Sequence, residues 1–143
     1  MEHLLLAIHI LFAIFAVGPL VHAATTASRG VRDADPKAIA SSARTIRLYG
    51  WVSVGVLVVG MGLVQPKWHN QFSDTWVWLS VVLFVLAIAG VQAVLVPALQ
   101  KAGAEAAAGR PAQALVGRIA AAGGMVALVF AVIVFLMVYK PGR

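Results

Sequence analysis

Apolar and polar positions follow one another along this chain in long blocks. Four blocks lack Lys, Arg, Asp and Glu altogether: Leu4 to Ala24, Leu48 to Gln65, Thr75 to Leu99 and Ile119 to Tyr139. Each is close to the ~20 residues that a helix needs to cross ~30 Å of hydrocarbon. Lipid cannot satisfy exposed amides, so such a block crosses it as a helix. The pattern predicts an all-α fold: an integral membrane four-helix antiparallel bundle, one domain over residues 1–143, with helix extensions on the cytoplasmic side.

The punctuation between blocks refines the elements. Asp35 before Pro36 has the order of an N-cap and a first helical residue, and no breaker follows up to Arg47. The second helix is therefore expected to start near Pro36, with Thr25 to Asp35 left as connection. Gln65-Pro66-Lys67 ends it, and Pro111 suits the start of the fourth helix. Pro97 is placed at the close of the third helix, and Gly103 and Gly109 flank an Ala-rich stretch that is a candidate extension of it. Trp68, Trp76, Trp78 and Tyr139 are placed at one water boundary, and Tyr49 and Trp51 at the other. Helices in lipid associate through small residues, which Ala120, Gly124, Ala127 and Ala131 of the last block and Gly55, Gly60 and Gly62 of the second supply at helical spacing. Pro19 removes an amide donor inside the first block and predicts a kink between Phe15 and Pro19.

Composition agrees: 62% of the 143 residues are hydrophobic and 11% charged, against about half and about a quarter in soluble domains. The net charge of +6 invites a nucleic-acid reading, but the placement of the charges decides against it. Arg29, Arg32, Lys37, Arg44 and Arg47 lie in the first connection and Lys101, Arg110 and Arg118 in the third, whereas Lys67, Lys140 and Arg143 lie on the other side. The positive-inside rule then puts the first and third connections in the cytoplasm and both termini outside, in a bacterial-type inner (plasma) membrane. Membrane lipids, including anionic head groups, are the expected partners, with self-association or a larger membrane complex open. The leader before the first block has no Lys or Arg, so that block is read as a retained helix rather than a signal peptide. With no cysteine, thiolate sites and disulfides are excluded.

One residue interrupts the first block. His9 is immersed among apolar neighbours about 9 Å from His3 along a helix axis, and a buried imidazole needs partners for its nitrogens. Ala13, Ala16 and Leu20 follow at steps of four, three and four, which turns His9 into the bundle. Antiparallel neighbours bring Met61, Trp78, Ser80 and Met137 to a similar depth. A hydrogen bond to Ser80 or a backbone carbonyl is the structural reading. The chemical one is a metal or haem ligand, opposed by Met61, Met137 or a second protomer's His9. His3 and His69 belong to the same side as further metal-ligand candidates, although no two histidines share a spacing that preassembles a site. Gln92, His22 and Tyr49 form a possible polar group at the other end. No paired carboxylates and no phosphate loop occur, which argues against a proton pump or an ATP-driven machine.

His9 early in the first span, Trp76 opening the third, Pro97 near its end and the closing Leu136-Met137-Val138-Tyr139-Lys140-Pro141-Gly142 resemble a family of predicted four-helix integral membrane proteins of unknown function. That family resembles in turn the membrane domain of copper resistance protein D and the HemJ-type protoporphyrinogen oxidases. The resemblance to the latter implies b-type haem and a functional helix 1 histidine, matched by His9, with a redox or haem-handling role. It also implies a helix 3 lysine, yet none occurs between Trp76 and Leu99, which weakens porphyrinogen oxidation. The other likeness implies copper handling, for which His3, His9, His69, Met61 and Met137 are soft or borderline donors. A non-catalytic assembly or packing subunit is the third reading.

Overall fold

The computed structural model describes residues 2–65, 67, 73–110 and 113–141. Four helices are long and apolar enough to cross a membrane: α1 (Glu2–Arg32), α2 (Pro36–Gly62), α3 (Thr75–Ala107) and α4 (Gln113–Tyr139). No strand occurs among the described residues. Pro66, Trp68 and His69 of the second connection and Pro111 lie outside them, so the expectations placed there have no structural counterpart.

The first correction concerns α1, which does not stop at Ala24. It continues through Arg32, with Leu20, Ala24, Ala27 and Val31 buried on one stripe. Thr25 and Thr26 return their hydroxyls to the carbonyls of Val21 and His22 at 2.9 and 2.8 Å, so neither draws the backbone out of the helix. The turn is three residues long. Asp35 N–H donates to the Gly30 carbonyl and Ala34 N–H to that of Val31, with Ala34 left-handed at φ 51°. This is the bonding of a Schellman stop. Asp35 then caps α2 as expected: its carboxylate accepts from the Lys37 and Ala38 amides at 3.1 and 3.3 Å.

The second correction concerns Pro97, which does not close α3. The helix runs past it to Ala107, and the five residues before it, Val91–Leu95, form a π turn. A helical proline lacks an N–H and crowds the carbonyl four residues back. A π turn just upstream widens the backbone where that carbonyl lies. Gly109, at φ 75°, makes the stop, with Arg110 N–H on the Glu105 carbonyl at 2.9 Å and Gly109 N–H on that of Ala106 at 3.1 Å.

Helix α1 packs between α2 and α4, and α3 packs on α4 along its first half. Helix α2 meets α3 chiefly through Val96–Ala107 and hardly at all through Thr75–Gly90. The two helices are therefore close at the end bearing most of the basic residues, called here the basic end, and apart at the far end, where α1 begins and α4 stops. Close approach uses glycines of α2. A Cβ on Gly50 would lie 2.7 Å from the Gln92 amide nitrogen, and one on Gly55 would lie 2.8 Å from the Phe12 ring. Gln92 spans the helices to the Arg47 carbonyl, 3.1 Å away. The expected grouping of Gln92 with His22 does not form, because His22 is exposed.

On α4 the expected small-residue face is one position out of phase. Ile119, Gly123, Val126, Phe130 and Ile133 are buried, whereas Gly124 and Ala131 are exposed. A Cβ on Gly123 would overlap the Ala24 carbonyl oxygen. Outward faces carry large apolar residues such as Leu11, Phe15, Val58, Leu86, Leu128 and Phe135. That is the surface a lipid-solvated bundle needs.

Candidate functional site

The separation of α2 from α3 leaves a cavity of about 190 Å³ at the far end, with walls from all four helices. Apolar side chains make most of it, among them Leu6, Val56, Val64, Val77 and Phe84. His9 enters from α1 and is 9% exposed. Its ring sits over Gly60: a Cβ there would lie 2.8 Å from His9 Cε1 and 3.3 Å from Nδ1. The imidazole thus occupies the notch left by a missing side chain. The backbone of Val56 faces the ring, and Nδ1 has no hydrogen-bond partner.

Two further buried polar atoms on the same wall lack partners, Trp76 Nε1 and Ser80 Oγ. An unpaired buried polar group costs about 1–3 kcal/mol. All three belong to residues that line this one space. Ser53 Oγ is also buried without a partner, but Ser53 does not line this cavity.

The predicted site residues are partly brought together. His9, Met61 and Met137 line the one cavity, from α1, α2 and α4. Met61 and Met137 are 42% and 37% exposed, so both thioether chains remain movable. His3 is exposed and is not in the lining, and His69 lies outside the described residues. The hydrogen bond from His9 to Ser80 is not formed, since Ser80 Oγ has no partner. The His9 ring is buried against α2 inside its own bundle. Among the described residues no three of His, Asp and Glu come together as a metal-holding group.

Trp76 and Lys140 are cavity residues that the sequence reasoning did not include in the site. Trp76 is buried inside the bundle, 8% exposed, while Trp78 and Tyr139 are exposed. The Lys140 ammonium lies 5.3 Å from the centre of the Trp76 ring, within cation–π range. It puts a cation at the rim of the cavity.

The family model described as predicted integral membrane protein (DUF2269) matches residues 3–141. The chain belongs to this family. The match spans all four helices, His9 and both methionines of the cavity. No curated protein and no solved structure matches the chain.

Proposed function

We propose that this DUF2269 protein handles copper(I), holding the ion in the far-end cavity on the His9 ring nitrogen and the thioethers of Met61 and Met137. The observation that carries the reading is the buried Nδ1 of His9, which lacks a partner and belongs to a residue lining the same cavity as both methionines. Thioether and imidazole donors suit copper(I), whereas magnesium, calcium and manganese prefer oxygen donors. A single ion fits a space of this size. Under the positive-inside rule the cavity opens in the half of a bacterial-type plasma membrane that faces away from the cytoplasm.

Haem on His9 is the second reading, favoured by the Lys140 ammonium at the rim, a partner for an acidic edge of a ligand. The fit is poor. At about 190 Å³ the cavity falls below the ~300 Å³ at which pockets for drug-sized ligands begin. A porphyrin would have to lie largely outside it, between α2 and α3.

The test is titration of the purified protein with copper(I) against a chromogenic chelator under reducing conditions. One equivalent is expected to be retained by the native chain and by His22→Ala. His9→Ala and the double variant Met61→Leu/Met137→Leu are expected to bind at least about tenfold more weakly, a loss of ~1.4 kcal/mol or more. Equal retention by His9→Ala, or none by the native chain, overturns the proposal. An absorption band of haem in the isolated protein that His9→Ala removes would establish the second reading instead.

A further inference from the structure

A second cavity lies at the basic end, between the first turns of α2 and the last turns of α3. Its volume is about 550 Å³. Ile39, Ala43 and Leu99 give it a buried apolar floor, and Gly103 lets the helices close beneath it, where a Cβ would be 3.3 Å from Ile39 Cγ2. Arg44, Arg47 and Gln100 form its polar lining, and no carboxylate lines it. Arg44 and Arg47 are three residues apart on α2 and therefore neighbours on its surface, about 5–6 Å between Cβ atoms. Neither makes an ion pair among the described residues, where Glu105 instead pairs with Arg110 at 2.8 Å.

The height of this groove along the bundle is fixed by its neighbours. Arg47 is the last charge before the uncharged run of α2, and the exposed Trp51 lies one turn further in. Tryptophan marks the boundary of hydrocarbon and head groups. The two guanidinium groups therefore stand at head-group level, and the groove extends from them toward Pro36, away from hydrocarbon. Arg forks match phosphate oxygens in pairs, which a compact ammonium does not.

We infer that the groove is a binding site for one anionic glycerophospholipid, its phosphate held by Arg44 and Arg47 with the Gln100 amide, its polar head group lying toward the exposed Ala40, and its acyl chains leaving past Trp51 into hydrocarbon. This differs from general attraction of a basic surface to anionic membranes, which any of the eight basic residues at this end would share. The site depends on two of them. It is also independent of the copper proposal, since it uses the opposite end of the bundle.

The experiment is reconstitution in vesicles of phosphatidylcholine alone or mixed with phosphatidylglycerol, followed by detergent extraction and mass spectrometry of the intact protein with its bound lipid. The native chain is expected to retain one phosphatidylglycerol, favoured at least about fivefold over phosphatidylcholine. Arg44→Gln/Arg47→Gln is expected to abolish the preference, and Arg29→Gln/Arg118→Gln to keep it. Ala40→Trp, which fills the groove and leaves both arginines, should also lose the lipid, and it decides the matter if the charge variant fails to fold. Equal retention of the two lipids overturns the proposal, as does loss in the control pair or displacement by inorganic phosphate.

Discussion

Ala34 holds φ at 51°, in the left-handed region where a Cβ crowds the following carbonyl. That conformation costs an L residue roughly 1–2 kcal/mol, and a glycine would lose about 0.5–1 kcal/mol of backbone freedom on folding instead. Ala34→Gly is therefore expected to stabilise the bundle by roughly 0.5 kcal/mol, read as a higher midpoint when helicity is followed in increasing denaturing detergent. A lower midpoint would show that the turn gains nothing from glycine. At this same scale the candidate site was half legible. The stripe His9, Ala13, Ala16, Leu20 pointed the imidazole inward, and Ala16 and Leu20 are buried with it. Equal depth placed Met61 and Met137 near His9, and both line its cavity, because antiparallel helices of known rise share a common scale of height. Trp76 escaped that reasoning: a tryptophan near a span end has the interface as its default, and only the splaying of α2 from α3 creates an interior for it.

Adjacent glycines separate packing from propensity at the level of the helix. Gly123 faces the backbone of α1, where a Cβ would overlap the Ala24 carbonyl oxygen, and Gly124 has open space around it. Gly123→Ala must push α4 from α1, at a cost of about 1–3 kcal/mol for an overpacked contact. Gly124→Ala is expected to be neutral or stabilising by up to ~1 kcal/mol, the helix propensity gained. The same detergent unfolding measurement checks both, and equal effects would mean that the α1–α4 contact is looser than described. Sequence periodicity found this face only to within one residue, because the last span is apolar all round and a stripe has little contrast in it. The α1 extension was missed for another reason. Thr25, Thr26 and Gly30 are weak helix formers, yet Leu20, Ala24, Ala27 and Val31 continue the inward stripe at steps of four, three and four, and packing along that stripe outweighs propensity. Pro97 was misjudged because a π turn, which lets a helix absorb a proline, leaves no signature that a hydropathy pattern displays.

The whole bundle is electrically lopsided. Among the described residues the basic end carries Arg29, Arg32, Lys37, Arg44, Arg47, Lys101, Arg110 and Arg118 against Asp33, Asp35 and Glu105, while the far end carries Lys67 and Lys140 against Glu2 and Asp74. The helices extend the asymmetry into space. Pro36 to Arg47 of α2 and the last turns of α3 before Ala107 lift those charges beyond the uncharged runs, so the basic end stands out from the membrane as ordered helix rather than loop. Lysine and arginine near span ends resist translocation, and this bias sets orientation. The basic end is therefore expected in the cytoplasm, which puts the His9 cavity on the side where an ion arriving from outside first meets the bundle. The chain has no cysteine, so single reporters can be placed without removing any. Ser41→Cys, exposed near the start of α2, should resist a membrane-impermeant maleimide in intact cells and react once the cells are opened. Ser73→Cys, exposed before α3, should react in both. The opposite pattern would invert the protein and move the cavity to the cytoplasmic half.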